Sequence, residues 1–146
     1  MGCMRPAIVA ALLLLAAAGC GGKKTKNSVG PDQECTKPPS TASAGNAQIS
    51  ARTTGGPYAK LVVVHAKEKT NGSPVDGGKI IVHAEMSCPH FMRLYDKKMQ
   101  ETSPGTYKAG YTLVMPGTWA LYFVLRDKNG DATTSAYPVV VKAPGT

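Results

Sequence analysis

Hydrophobic and polar positions follow two different patterns along this 146-residue chain. Near its start, an unbroken apolar run extends from Ala7 to Ala18. From about Ala47 onward, short runs rich in Val, Ile, Tyr and Phe alternate with clusters of turn-forming residues. Such runs predict β-strands, and no sustained helical period follows the first apolar run. The pattern therefore predicts a short apolar leader and an all-β domain.

The predicted strands are similar in length and are separated by residues such as Gly, Pro, Asn and Ser. They cover residues 47–53, 60–67, 79–86, 91–97, 106–114, 118–126 and 133–142. Asn129-Gly130 separates the last two, and both residues tolerate the positive φ of a tight hairpin turn. Seven short strands in about a hundred residues predict an immunoglobulin-like antiparallel β-sandwich.

Alternation within the strands also predicts the core, because every second side chain of a strand points to the same face. The predicted inward positions are Ile80, Val82, Ala84, Tyr107, Ala109, Tyr111, Leu113, Trp119, Leu121, Phe123 and Leu125. Residues 61–64 are apolar on both faces, which predicts a strand covered on both sides. Trp119 is interpreted as a core residue rather than a ligand platform, because aromatic side chains dominate such cores.

The leader has the order of a secretory signal peptide: Arg5, a short apolar run, and small residues before a cleavage point. A helix of its twelve apolar residues spans about 18 Å, whereas a bilayer core needs about 30 Å. The cysteine after Ala18-Gly19 resembles the lipidated residue of bacterial lipoproteins. We therefore expect a signal peptide at 1–19 and a lipid such as palmitate on Cys20.

Residues 20–46 are rich in Gly, Lys, Ser, Thr and Pro, and a segment this polar buries too little surface to offset its ordering entropy. We interpret them as a flexible linker before a domain at 47–146. The lipid predicts attachment to the cell envelope, facing the periplasm or the exterior. Gly21 in place of aspartate resembles sorting to the outer membrane.

The charge of the chain indicates only one partner, the membrane surface. The formal net charge is +8, and Lys23, Lys24 and Lys26 follow the lipid site, where anionic head groups attract cations. The other basic residues are scattered and are not interleaved with aromatics, so the sequence does not support nucleic-acid binding.

One segment concentrates soft metal ligands at alternate positions. These residues are Met86, Cys88, His90 and Met92. Alternate side chains of an extended segment face the same way, about 6.5–7 Å apart, so the segment must bend at Pro89 for them to share an ion. Met115 is a further candidate from a neighbouring segment. Thioether, thiolate and imidazole together favour Cu(I) over harder cations.

Two structural interpretations stand beside the metal hypothesis. Methionine fills gaps in cores, and Cys35 and Cys88 form a possible disulfide in an oxidising compartment. The alternative function is a metal-free interaction or scaffold domain of the envelope. We do not expect an enzyme, because the sequence shows no paired carboxylates, no phosphate-binding loop and no assured base beside Cys88.

Three motifs occur in a distinctive order. They are Asn71-Gly-Ser-Pro-Val-Asp-Gly-Gly-Lys-Ile-Ile-Val82, Glu101-Thr-Ser-Pro-Gly-Thr-Tyr107 and Met115-Pro-Gly-Thr-Trp119. Together they resemble the YtkA-like and FixH-like domains, over about residues 58–142. The resemblance implies an immunoglobulin-like sandwich outside a membrane, associated with copper and oxidase assembly or metal efflux. It also implies that Met86 and Met115 lie near one end of the sandwich, and that an envelope metalloprotein is a partner.

Overall fold

The computed structural model describes residues 41–88, 91–143 and 145. These residues form nine β-strands and contain no helix. The strands are β1 (Ala47–Gly55), β2 (Ala59–Glu68), β3 (Lys79–Cys88), β4 (Met92–Arg93), β5 (Lys97–Lys98), β6 (Gln100–Ser103), β7 (Thr106–Thr112), β8 (Gly117–Arg126) and β9 (Ala132–Val141). Among the described residues, no helix is long and apolar enough to cross a membrane.

The strands form two sheets that pack face to face. One sheet has the order β1-β2-β7-β6, and the other has the order β4-β3-β8-β9, with β5 also paired to β3. All pairings are antiparallel. The predicted antiparallel β-sandwich is confirmed.

The strand predicted at 91–97 is replaced by two separate short strands. β4 pairs with Glu85 and Met86 near the end of β3, and β5 pairs with Ile81 and Val82 nearer its start. Between them, Leu94 N–H donates to the Ala84 carbonyl oxygen at 2.8 Å, and after them, Met99 N–H donates to the Ile80 carbonyl oxygen at 2.9 Å, so the chain follows β3 here too. The pattern did not predict β6, because its sequence Gln-Glu-Thr-Ser carries no apolar alternation.

The core lies between the sheets and contains every predicted inward residue. The exposed fraction is at most 2% for all of them except Ala109, which is 8% exposed. The expectation for residues 61–64 holds only in part: Val63 is 4% exposed, but Leu61 is 44% exposed. In the sheet, Val63 lies between Arg52 and Lys108, and the long side chains of such residues cover apolar neighbours. Leu61 lies opposite Gly110, which has no side chain to cover it.

Two turns meet at the end of the sandwich where β3 begins. Tyr107 Oη donates to the Val75 carbonyl oxygen at 2.7 Å and accepts a hydrogen bond from Gly78 N–H at 3.1 Å. The Glu101 carboxylate accepts hydrogen bonds from Gly77 N–H at 3.0 Å and from Gly105 N–H at 3.1 Å. Residues of two of the three sequence motifs therefore form one structural contact, which we call the turn clasp.

Residues 41–46, which the sequence analysis assigned to the linker, bond with both sheets. Ala44 forms an antiparallel bridge with Thr134 of β9, with both N–H···O distances at 2.8 Å. The Ser43 hydroxyl accepts a hydrogen bond from Ile49 N–H of β1 at 2.8 Å. This segment therefore lies between the edges of β1 and β9 and joins them.

Candidate metal site

Met86 and Met92 come together through strand pairing. The sequence predicts them on one extended segment, but β3 and β4 run antiparallel, and the Cα atoms of Met86 and Met92 are direct partners in this pair. On its other side, Met86 is the partner of Trp119 in β8. Cross-strand partners share a face and hold their Cβ atoms about 4.5–5.5 Å apart. Met92, Met86 and Trp119 therefore form a row on the inner face of this sheet.

Met115 joins this row through the turn before β8. The Trp119 indole N–H donates to the Met115 carbonyl oxygen at 3.1 Å, which ties the Met115 backbone to the core. Both Met92 and Met115 are partly buried and pack against the core cluster. We call the region formed by Met86, Met92, Met115 and Trp119 the methionine end. It lies at the opposite end of β3 from the turn clasp.

The three methionines differ in their contact with solvent. Met86 and Trp119 are fully buried, with 0% of each side chain exposed, whereas Met92 and Met115 keep part of their surface accessible. Trp119 is thus a core residue, as predicted. An incoming ion or partner could therefore contact Met92 and Met115 directly, whereas Met86 offers it no exposed surface.

The backbone changes register just after Met86. Met86 pairs with Trp119, but Cys88 pairs with Thr118, so β3 has one more residue than β8 in this interval. Such a bulge interrupts the alternation of the strand. The alternation predicted from Met86 to Cys88 is therefore not continuous. His90, Cys20 and Cys35 lie outside the described residues.

A polar cluster that the sequence analysis missed lies on the outer face of the five-stranded sheet. His83 Nε2 lies 3.2 Å from Glu85 Oε1, and the His83 ring stacks on Tyr122 with centroids 5.3 Å apart. Arg93 Nη2 lies 3.1 Å from Asp96 Oδ1, which in turn is 3.8 Å from His83 Nδ1. Strand alternation does place His83 opposite to Met86. Nothing local in the sequence indicated that β4 and the residues after it would bring Arg93 and Asp96 there.

Chemically, this polar cluster resembles an ion-pair network more than a metal centre, because Arg93 occupies the space beside both carboxylates. Within residues 41–88 and 91–143, no group of three or more His, Cys, Asp or Glu side chains is arranged to hold a metal ion. The thioethers at the methionine end are a separate candidate, because thioether ligands suit Cu(I).

Several large apolar side chains that neighbour the residues of the methionine end, in the sequence or by strand pairing, are exposed to solvent. Phe91 is 76% exposed and directly precedes Met92, while Val114 is 55% exposed and directly precedes Met115. Val140 is 65% exposed, and its Cα partner is Thr118. We call Phe91, Val114 and Val140 the apolar rim. Exposed apolar groups are typical of contact surfaces where they adjoin one another.

The described residues thus form an all-β sandwich domain that carries three methionines at one end. In comparisons with known proteins, the model of the YtkA-like family matches residues 41–124, more than half of the chain. The chain belongs to the YtkA-like family. A search of curated proteins finds no match. The matched region begins at the segment that joins β1 to β9 and ends within β8.

Proposed function

We propose that this YtkA-like domain is a non-enzymatic copper-binding module of the bacterial cell envelope. The lipid on Cys20 holds it to the membrane, with the outer membrane favoured, and the sandwich faces the periplasm or the exterior. It binds Cu(I) at the methionine end and passes the ion to an envelope metalloprotein.

The single observation that carries this proposal is the pairing of Met86 with Met92, next to Trp119, whose indole N–H holds the Met115 backbone. Methionine has three rotatable side-chain bonds, so sulfur atoms on partner strands can turn toward one ion. Thioether ligands select Cu(I) because both the ion and the sulfur are soft. A cluster of thioethers that is half open to solvent suits an ion that must be received and released.

In this proposal the ligands act at different depths. Met92 and Met115 receive the ion at the surface, and His90, two residues before Met92 in the chain, adds an imidazole. Met86 completes the set by changing its rotamer beneath them. Trp119 holds the Met115 backbone through its 3.1 Å hydrogen bond and so limits how far this ligand moves.

The test is a Cu(I) titration of the mature chain under reducing conditions, in competition with a coloured Cu(I) chelator. We expect the variant with Met92→Leu and Met115→Leu to bind at least about tenfold more weakly, which corresponds to about 1.4 kcal/mol. Leucine keeps the volume and apolarity of methionine, so the fold should tolerate the changes.

Met99→Leu is the matched control. Met99 is also a core methionine, with 8% of its surface exposed, but its backbone bonds to Ile80 near the other end of β3. The control should bind Cu(I) as the unchanged chain does. Equal affinities for the control and the double variant would reject the copper proposal.

A metal-free interaction domain is the second candidate, and the apolar rim favours it. Phe91, Val114 and Val140 are each more than half exposed, whereas the Met86 sulfur lies in a side chain with no exposed surface. On this account the methionines only fill the core, and the rim binds an envelope protein. Changing Phe91 and Val140 to Ser would then abolish cross-linking to that partner in intact cells and leave Cu(I) affinity unchanged.

A further inference from the structure

Three basic residues lie together on the outer face of the five-stranded sheet, near the start of β3. Lys79 in β3 and Arg126 in β8 are direct Cα partners, and Lys98 in β5 is the partner of Ile81. Lys79 and Ile81 flank the core residue Ile80, so both point away from the core. Cβ atoms of cross-strand partners are about 4.5–5.5 Å apart, and diagonal neighbours are about 7–8 Å apart. The three long side chains therefore reach a common space, and we call these three residues the basic cluster.

The basic cluster lines a groove that also has an apolar surface. The groove has a volume of about 310 Å³, and Lys79, Lys98 and Arg126 all contribute to its lining. Its apolar lining includes Ile81, which is 36% exposed, and Val124, the partly exposed partner of Ile81 in β8. Pockets that bind small molecules have volumes of about 300–1,000 Å³, so this groove has room for a small ligand.

Two carboxylates near these cations in the sequence form ion pairs elsewhere. Asp76 Oδ2 lies 2.9 Å from Lys128 Nζ, and Asp96 Oδ1 lies 3.1 Å from Arg93 Nη2. Each of the two acids therefore already has a basic partner outside the basic cluster.

Two further carboxylates bind backbone N–H groups. The Glu101 carboxylate belongs to the turn clasp, where it accepts hydrogen bonds from two glycines. Asp127, next to Arg126, accepts hydrogen bonds from Asn129 N–H and Asp131 N–H, both at 2.9 Å. Among the residues that the structure describes, none forms an ion pair or a side-chain hydrogen bond with the basic cluster.

The arrangement of the charges indicates which kind of ligand fits the groove. Like charges on directly opposite residues destabilise a sheet, so an anion bound between Lys79 and Arg126 offsets their repulsion. Arginine binds phosphate and carboxylate through two parallel hydrogen bonds, and lysine adds a point charge. A phosphate monoester carries a charge of about −1.5 to −2 at pH 7, whereas a carboxylate carries a single charge. Three cations around one groove therefore suit a phosphate better than a carboxylate.

We propose that this groove binds a lipid-like phosphate monoester, in which a phosphate group is attached to an alkyl chain. The phosphate lies among the side chains of the basic cluster, and the alkyl chain packs on Ile81 and Val124. Lys79 begins β3, whereas Met86 lies near its other end. The phosphate site is therefore separate from the proposed copper site, and the failure of either test leaves the other proposal unaffected.

The test is a titration of the mature chain with hexyl phosphate at constant physiological ionic strength, followed by NMR of the backbone amides. Cys20→Ser in this chain prevents lipid attachment. We expect chemical-shift changes centred on Lys79, Ile81 and Lys98. Inorganic phosphate should bind at least about tenfold more weakly, because it buries no apolar surface. No shift changes at these residues, or equal affinity for the two probes, would overturn the proposal.

A double variant tests the role of the charges. Lys79→Gln with Arg126→Gln should bind hexyl phosphate at least about tenfold more weakly, because two of the three charged contacts are lost. Arg52→Gln with Lys108→Gln is the matched control. It removes one arginine and one lysine from the outer face of the other sheet, where Val63 separates them. The control should bind as the unchanged chain does, and equal weakening in both variants would show an unspecific attraction to net charge.

Thermal unfolding gives a second measure of the same site. Saturating hexyl phosphate should raise the melting temperature of the unchanged chain, because a ligand that binds only the folded state stabilises it. The variant with Lys79→Gln and Arg126→Gln should show little of this rise. An equal rise in both chains would contradict binding at the basic cluster.

Discussion

At the scale of single residues, Tyr107 shows how one side chain joins distant segments. Its ring fills the core with no exposed surface, while its hydroxyl bonds to Val75 and Gly78 in the connection before β3. Burial, followed by the nearby Glu101 carboxylate, raises the pKa of Tyr107 to about 12. The hydroxyl is therefore held in its neutral form, which can donate to a carbonyl oxygen.

Removing this hydroxyl should destabilise the domain without a change in shape. We expect Tyr107→Phe to lower the free energy of unfolding by about 1–3 kcal/mol, because Val75 C=O and Gly78 N–H lose their partner. Urea unfolding followed by Trp119 fluorescence measures the loss. Tyr137→Phe is the control, because Tyr137 packs against the core but bonds to no other described residue through its hydroxyl. Equal losses in both variants would contradict this account.

The same prediction has a pH dependence whose sign follows from the raised pKa. The pKa of tyrosine is 10.0 in the unfolded chain, and that of Tyr107 is about 12 in the folded domain. The unfolded state therefore loses its proton first, and stability falls as the pH rises between these values. Tyr107→Phe should make this fall shallower. Some of it should remain, because burial also raises the pKa of Tyr111.

At the scale of elements, turns with required backbone conformations determine which strands meet. Gly105, in the turn between β6 and β7, has φ of 69°, a left-handed conformation that side chains disfavour. A Cβ there would lie 2.7 Å from the Ala66 carbonyl oxygen and 2.7 Å from Pro74 Cβ. This turn therefore packs directly on β2 and on the connection before β3.

We expect Gly105→Ala to destabilise the domain by about 1–3 kcal/mol, from backbone strain and from the displacement of Ala66 and Pro74. Gly110→Ala is the control, because a Cβ at Gly110 meets no atom within 4 Å. Thermal unfolding of both variants measures the difference. An equal change in melting temperature would show that the turn tolerates a side chain.

Elements also show where prediction from sequence stopped. Long strands were predicted well, because β3, β7 and β8 are rich in β-branched and aromatic residues and carry a core residue at every second position. The strands between Met92 and Ser103 were not predicted correctly. Their pairing depends on backbone hydrogen bonds to β3 and β7 rather than on an alternation of apolar and polar residues in the segment itself. For the same reason, the pairing of Met86 with Met92 across a turn was not predicted.

At the scale of the whole molecule, the sandwich has two different ends. The turn clasp joins the sheets through tyrosine and glutamate hydrogen bonds, while the methionine end joins them through packing around Trp119. Residues 41–44 join the edges of β1 and β9 between these ends. The domain is thus held together by contacts between segments that are far apart in the sequence.

Deleting residues 41–44 from the full chain should loosen these edges. The deletion would bring Pro39 to the place of Ser43, where it offers no hydroxyl to Ile49 N–H. We expect a loss of about 1–3 kcal/mol in unfolding free energy, because Ile49 N–H, which bonds to the Ser43 hydroxyl at 2.8 Å, is left without that acceptor. Deleting residues 25–28 of the predicted linker is the control and should change little. Comparable losses would mean that residues 41–44 do not contribute to stability.

The sequence by itself determined the fold class, the long strands and nearly the whole core, because alternation of apolar residues is a local property of each strand. Only the tertiary structure decided that Met86 is sealed while Met92 and Met115 reach the surface, and that a bulge separates Met86 from Cys88. It also decided that Glu101 and Tyr107 bind the turn before β3. These features depend on the register between strands that lie far apart in the chain, and no single segment encodes that register.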